Sequence, residues 1–410
     1  MRIFEVNIQI YALLCYIMAM IIRNITDELV STAEEYPVVT ILGPRQAGKT
    51  TLAKQTFSKH TYCNLEHPEI RHLAINDPNA FFKRFSGKLI IDEIQRVPGL
   101  LSYIQVMVDE NEEKGQFILT GSHQLSLHES IAQSLAGRTA ILKLLPLSIH
   151  ELQADGCKFD HYDYMLYGFL PKIYKDKLNP SRYYSNYYET YVQRDVRALI
   201  KLKDLSNFEK FIKLLAGRVG QIINLSSLSN DVGVSSHTLK HWLSVLEASF
   251  IVVKIEPYYE NFGKRVIKSA KIYFTDNGLL SYLLGIENTT QLNRDPLIGQ
   301  MFENLVVIEC LKSRYNQGKN PNLYYFRTDK GQEVDLLFKQ GSQLIPIEIK
   351  SAMTFNKKFA KGIKYFQKIA QSKIQSRTKG FVVYAGDLQH ESNDYTVLNY
   401  SNTNKIFVPF

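Results

Sequence analysis

Nine residues, Gly43 to Thr51 in the string GPRQAGKTT, have the types and the spacing to hold a polyphosphate. In Gly-x-x-x-x-Gly-Lys-Thr the glycines let backbone N–H groups close around phosphate oxygens, so Gly43, Pro44, Arg45, Gln46, Ala47 and Gly48 form the expected cradle. Lys49 is expected to reach the β- and γ-phosphates and Thr50 to offer its hydroxyl to Mg²⁺, while Thr51 opens the helical run to Phe57. Downstream, KLIIDEIQRVP ends an apolar run in Asp92 and Glu93. Such an Asp orients the magnesium ion, and the adjacent Glu can polarise an attacking water. FILTGSHQL then carries Thr120 and Ser122 to a strand end, where a hydroxyl can sense the γ-phosphate. An acidic pair at a strand end also serves as a solvated cap, and Gly-Ser is ordinary turn chemistry. The expected ligands are ATP and Mg²⁺.

These groups must be carried to one edge of a sheet. Apolar runs PVVTIL, TYCNL, KLIIDEI, QFILTGS and TAILKLLPL alternate with helical stretches between residues 37 and 150. That alternation predicts an α/β fold with a parallel sheet and helices on both faces. The phosphate loop lies between the run Val38 to Leu42 and a helix, as a P-loop NTPase requires.

A second constellation lies in GQEVDLLFKQGSQLIPIEIKS, residues 331–351. Val334 to Phe338 and Leu344 to Ile349 flank a Lys-Gln-Gly-Ser turn, which predicts a β-hairpin. Asp335 falls on its first strand, and Glu348 and Lys350, two residues apart, leave one face of the second. A nuclease fold of the type Pro-Asp…(Asp/Glu)-x-Lys holds a divalent ion between such carboxylates while the lysine steadies the attacking water. Glu303, in GQMFENLVVIECLK, resembles the additional helix-borne carboxylate of those folds, and Lys330 is a candidate phosphate contact. Glu-x-Lys on an exposed hairpin face is also frequent by chance.

Between the two, LSSLSNDVGVSSHTLKHWLSVLEASFIV reads as helix-turn-helix. Leu225, Leu228 and Val232 precede a Gly-Val turn; Ser236 is the expected N-cap of a helix burying Leu239, Trp242, Leu243 and Leu246. A hairpin from FIVVKIEPYY to KIYFTD would be the wing. His237, Lys240 and His241 would face outward, with Lys264, Arg265 and Lys268 in the intervening loop. Winged units serve either DNA contact or protein docking.

The 410-residue length predicts two or three domains, and 45% hydrophobic with 22% charged residues is ordinary for a globular chain. A net charge of +9 favours a polyanionic partner. Cys15, Cys63, Cys157 and Cys310 show no paired spacing, which argues against a disulfide framework or zinc site and fits a reducing cytoplasm. The apolar run Ile10 to Ile22 is shorter than the roughly 17–25 residues of a membrane span. No membrane span is expected; the run reads as an export signal, as a peripheral hydrophobic helix or, with Met20 as the candidate start, as part of an extension over 1–19 upstream of the native protein, the last being the preferred expectation.

Taken in order, GPRQAGKTTLAK, IIDEIQRVPGLL, FILTGS, SLAGRTAILKLLPLSIHEL, YETYVQRDVRALI, KIYFTDNGLLSYLLG, GQMFENLVVIECLK and the EVDLLF…IPIEIKS hairpin resemble the prokaryotic AAA-family ATPases that carry a C-terminal domain of unknown function. The resemblance runs from about Met20 to beyond Ala352. It implies a P-loop AAA-type domain over 20–150, a helical linker or lid over 151–215, a winged-helix-like domain over 216–285 and a restriction-endonuclease-like α/β domain over 286–410. It also marks Arg138 and Arg194 as characteristic positions. Each is a candidate cation for the γ-phosphate, as a sensor in cis or a finger from a second copy in a homo-oligomer, or else a surface ion pair. His123 departs from the pattern, where Ser or Asn is more usual.

The expectation is ATP hydrolysis coupled to DNA presented to Glu303, Asp335, Glu348 and Lys350, with the Tyr-rich region as lever. Two alternatives stand beside it: a regulatory switch whose C-terminal domain binds a protein and cleaves nothing, and a DNA-binding module that uses ATP only to set its oligomeric state.

Overall fold

The structure is a computed structural model that describes residues 21–111, 113–122, 134–196, 205–258, 269–374 and 379–407, the side chains of 193–196 and 372–374 excepted. Five buried or half-buried runs form a parallel sheet: β1 (Val38–Leu42), β2 (Thr61–Asn64), β3 (Leu89–Asp92), β4 (Phe117–Gly121) and β5 (Thr139–Lys143). Their order is β2-β3-β4-β1-β5, with β1 paired to β4 and β5. β1 is apolar throughout except Thr40, and all five of its residues are buried, as a central parallel strand requires. This is the P-loop NTPase fold, with the loop after β1 emerging at the carboxyl edge of the sheet.

A helical region follows. The helix Pro180–Tyr187 and a π-helical continuation, Tyr188–Val196, bury Tyr183, Tyr184, Tyr187, Tyr188 and Tyr191. The helices Leu225–Val232 and Ser236–Ala248 come next, with Trp242 against Phe208 and Phe211. The cap of the second helix is Ser235, whose hydroxyl accepts the Thr238 N–H, and not the expected Ser236. Strands β6 (Val252–Ile255) and β7 (Lys271–Phe274) pair antiparallel after them. The loop bearing Lys264, Arg265 and Lys268 lies outside the described residues.

The C-terminal unit opens with the helix Ile298–Tyr315 and continues as β8 (Leu323–Arg327), β9 (Glu333–Gln340), β10 (Gln343–Lys350), the helix Lys361–Ile374 and β11 (Gly380–Tyr384). With β12 (His390–Glu391) and β13 (Tyr395–Asn399) it forms a six-stranded mixed sheet of order β12-β13-β11-β10-β9-β8. β9 and β10 are antiparallel with Gln340 opposite Gln343, so the expected four-residue turn tightens to Gly341-Ser342. One apolar core runs from Val38 through Tyr184, Trp242 and Phe302 to Phe407, so the segments are packed into a common interior.

His161 sits in that interior at 3% exposure, against Tyr162, Phe302 and Tyr400. Burial holds its pKa below the ordinary value, although nearby Asp160 acts in the opposite sense. The folded protein therefore prefers the neutral ring, while the unfolded chain takes up a proton near its own pKa of about 6.5. Stability from this site is present above that pH and is lost as pH falls through it. A His161→Phe variant is expected to flatten this part of the urea-midpoint profile between about pH 5 and 7.5; an unchanged slope would assign the pH dependence elsewhere.

Candidate nucleotide site and C-terminal carboxylate cluster

The loop from Gly43 to Gly48 turns into the helix Lys49–Thr56 through Gly48, whose φ of +94° lies in the left-handed region that favours glycine. Lys49 is buried, and its Nζ donates to the Gly43 and Pro44 carbonyls at 2.9 and 2.8 Å. Burial lowers its pKa to about 8, against the opposing charges of Glu93 and Asp92. Thr50 Oγ1 donates to the two Asp92 oxygens at 2.9 and 3.1 Å. Asp92 also accepts Tyr62 OH at 2.9 Å and the Thr120 hydroxyl. Glu93 has a φ of +58°, an uncommon backbone for this residue type. Its carboxylate accepts Ser122 Oγ at 2.8 and 3.0 Å, and the Gln95 side chain. Thus β1, β3 and β4 bring Lys49, Thr50, Asp92, Glu93, Thr120 and Ser122 to one edge.

A cavity of about 530 Å³ opens over this edge, lined by Arg45, Lys49, Thr50, Asp92 and Glu93 and, from the helical region, by Pro171, Lys172 and Lys175. A second, of about 390 Å³, adjoins it beside Ile21, Leu52, Gln55, Leu147 and Tyr174. The Tyr-rich helix reaches the loop directly: Tyr183 OH donates to the Gln46 side chain, and Tyr187 OH to the Arg45 carbonyl at 3.5 Å. The Thr50 hydroxyl and Asp92 carboxylate converge on the mouth of the cavity as a hard oxygen set that fits Mg²⁺.

Arg23 and Glu151 escaped the sequence reading. Arg23 donates to Glu151 at 3.1 Å, to the Ala47 carbonyl of the loop at 2.7 Å and to the Leu145 carbonyl at 2.7 Å. Both side chains are nearly inaccessible. The partners are far apart in sequence, so only the quoted SIHEL string, with its Ser-x-x-Glu capping box at Ser148 and Glu151, was a local signal. The same turn is held from the other side. The Ile149 N–H donates to Glu309 at 2.9 Å, and Lys312 Nζ to the Leu147 carbonyl and to Glu309, both at 2.7 Å. Lys312 also lies 3.6 Å from the Phe169 ring centroid. A continuous chain of bonds therefore leads from the phosphate loop to the helix Ile298–Tyr315.

That helix also carries Glu303. Its carboxylate takes Lys271 Nζ at 3.0 Å and Tyr273 OH at 2.5 Å, and Lys271 bonds Glu333 at 2.6 Å. On the hairpin, Lys350 Nζ bridges Asp335 at 2.8 Å and Glu348 at 2.6 Å. Asp335 further accepts the Ile349 N–H at 2.8 Å. The structure thus brings the expected Glu303, Asp335, Glu348 and Lys350 to one region and adds Lys271 and Glu333. Burial and the Asp335 charge push Glu348 up to about 8, against Lys350. Gly362, at the start of the next helix, has no Cβ because one would lie 1.8 Å from Glu348 Oε1. Among the described residues no three His, Cys, Asp or Glu side chains converge to hold a metal. Lys350 Nζ sits between Asp335 and Glu348, so the hairpin pair as it stands is bridged by an ammonium group and does not fit a divalent ion.

Arg138 is a correction. It precedes β5, at the amino edge of the sheet, and its guanidinium pairs with Asp109. It cannot act as a sensor on the phosphate loop of its own chain, because the strand length separates them. The Arg194 side chain and His123 lie outside the described residues. His237, Lys240 and His241 are exposed, as expected, and Lys330 is exposed on the β8–β9 turn.

Family models match three successive stretches: an AAA domain over 35–153, a domain of unknown function (DUF8612) over 158–290 and another (DUF4143) over 298–403. The fold, the loop and the first match define an AAA-family, ATP-binding P-loop ATPase. Uncharacterized proteins of Mycobacterium tuberculosis and Mycobacterium bovis are each 30% identical over 336 residues, covering 81% of this chain and 74% of theirs. The chain belongs to their family, the AAA ATPases with a C-terminal domain of unknown function. An uncharacterized protein of Haemophilus influenzae is 26% identical over 369 residues, covering 81% of this chain and 87% of its own. Among solved structures, a Walker-type ATPase of Pyrococcus abyssi has 14% identity and a TM-score of 0.40, covering 63% of this chain and 94% of that one. AMPPCP-bound DnaA from Aquifex aeolicus has 16% identity and a TM-score of 0.29, covering 54% and 85%. Among the described residues no helix is long and apolar enough to cross a membrane.

The Arg23 clamp makes a direct prediction. Arg23→Ala leaves Glu151 buried without its cation, which is expected to cost about 3–5 kcal/mol of unfolding free energy. Arg23→Lys keeps the charge but cannot make all three bonds, so its affinity for a fluorescent ATP analogue is expected to fall at least about tenfold, a change of about 1.4 kcal/mol. Wild-type affinity in Arg23→Lys would show that the clamp does not shape the loop.

Proposed function

We propose that the chain is a magnesium-dependent ATPase whose nucleotide state is passed to a DNA-binding C-terminal unit. The observation that carries the hydrolytic part is the convergence of Lys49, Thr50, Asp92 and Glu93 at one sheet edge beside an open cavity. Lys49, freed from the Gly43 and Pro44 carbonyls, neutralises the β- and γ-phosphates. Thr50 and Asp92 hold Mg²⁺, which when bound offsets charge on the phosphate oxygens. Glu93, fixed by Ser122, accepts the proton of the attacking water. Arg138 acts only from a second copy, as a finger in a homo-oligomer, and Arg194 is the other candidate for that role.

The nucleotide signal travels through Arg23, Glu151 and the Leu145–Ile149 turn to Glu309 and Lys312, and the Tyr-rich helix provides a second route through Gln46. Its DNA would be met by a winged unit at residues 216–285, through Lys240, His237 and His241, and by the C-terminal unit. A second reading, cleavage by a PD-(D/E)xK-like centre, is favoured by the order helix, β8, β9, β10, helix, β11 and by the meeting of Asp335, Glu348 and Lys350. It needs Lys350 to leave the space between the two carboxylates.

Lys49→Ala is expected to abolish ATP binding, measured by calorimetry, with the fold retained. Glu93→Gln is expected to keep ATP binding while turnover drops about 10²-fold or more. Retained turnover in Glu93→Gln would remove Glu93 from the base role. Incubating the protein with supercoiled and single-stranded DNA plus Mg²⁺ or Mn²⁺ separates the two C-terminal readings. Cleavage that disappears in Glu348→Ala/Lys350→Ala establishes a nuclease; no cleavage, with ATP turnover intact, leaves a binding unit.

A further inference from the structure

Between Glu348 and Asp387 the chain contains no aspartate or glutamate, yet it carries Lys350, Lys357, Lys358, Lys361, Lys364, Lys368, Lys373, Arg377 and Lys379. The structure sorts the described part of this run. The helix Lys361–Ile374 turns Ile363, Phe366 and Ala370 into the core. Lys361, Lys364 and Lys368 fall on the opposite, exposed face, and Lys357 and Lys358 extend that face from the preceding 3₁₀ turn. None of these five lysines makes an ion pair among the described residues, whereas most other clustered charges of this unit are paired. A solvated helix face ordinarily mixes both signs.

The location gives the stripe a direction. At Gly362 the helix backbone closes on the Glu348 carboxylate and on the Glu333 carbonyl. The lysine face therefore starts at the rim of the carboxylate cluster. Lys330 is exposed on the turn that leads into β9, three residues before Glu333. Lys361 to Lys368 span about 10 Å at 1.5 Å per residue. That length covers about three successive axial steps of one DNA strand at 3.4 Å each.

We infer that Lys357, Lys358, Lys361, Lys364 and Lys368 form a track for the phosphate backbone of DNA, which leads the strand past Lys330 and the Glu303–Asp335–Glu348–Lys350 cluster. This deepens the reading of DNA as partner and rests on it. The contacts are made to phosphates alone, so the track carries no base preference. An acidic polypeptide is the rival occupant. The even spacing along one helix face and the adjacent lysine-bridged cluster favour a regular phosphate chain.

The test uses the full chain in EDTA, so that no cleavage enters the measurement, with a fluorescein-labelled DNA duplex followed by anisotropy. Lys361→Gln/Lys364→Gln/Lys368→Gln is compared with a charge-matched control, Lys59→Gln/Lys83→Gln/Lys114→Gln, on the ATPase domain. Thermal midpoints of both variants verify folding. Removal of three phosphate contacts is expected to weaken binding at least about tenfold and to reduce the slope of log K against log salt by about 2.7, between about 50 and 200 mM salt. The control is expected to keep the wild-type slope. Equal losses in both variants, no loss in either, or a loss found only with Lys240→Gln would overturn the track. Poly-glutamate competing as well as unlabelled DNA would overturn the assignment to DNA. A wild-type chain that binds no DNA would instead remove the underlying reading of the partner.

Discussion

The clasp between Lys312, Glu309 and the Leu147–Ile149 turn is the contact on which the remaining architecture depends. Two charges lie in the interior, where each alone would be expensive. Both are satisfied because Lys312 also donates to a carbonyl and Glu309 also accepts a backbone N–H. The turn they grip belongs to the ATPase domain and follows β5, next to the edge where phosphates would lie. Arg23 grips the same turn from the opposite side while bonding the phosphate loop at Ala47. Neither domain can shift this turn without straining a buried charge on one side or the other.

This arrangement explains why a nucleotide site and a carboxylate cluster sit in one chain without sharing a cavity. Glu303 is on the helix that supplies Glu309 and Lys312, and a movement of that helix alters the distance between Glu303 with Lys271 and the hairpin pair Asp335 and Glu348. The cluster is tied together by two lysines: Lys350 and Lys271 each bridge carboxylates from different elements. An opening of this network is a discrete event, since each lysine must give up two partners. The Tyr-rich helix adds a second contact with the phosphate loop through Gln46 and Arg45.

Much of this was legible in residue order, and what was not has a physical reason. The phosphate loop is read from nine adjacent residues because its chemistry is local. The five parallel strands are legible because each is a short apolar run bounded by turn residues. Asp335, Glu348 and Lys350 are legible because a hairpin fixes which residues share a face. Arg138 is different: its motif is local, but whether it meets the phosphates depends on strand direction, and a parallel β5 puts it at the far edge. Arg23 with Glu151, and Lys271 with Glu303, pair across long stretches of chain, and nothing local marks the pairing. The cap at Ser235 shows the smaller error of choosing between two adjacent serines.

Hydrogen–deuterium exchange on the wild-type chain, with and without a non-hydrolysable ATP analogue and Mg²⁺, tests the transmission most directly. The account predicts altered protection both at the phosphate loop and along residues 298–315, where Glu303, Glu309 and Lys312 lie. Changes restricted to the loop and the carboxyl edge of the ATPase sheet, with 298–315 exchanging as before, would contradict it.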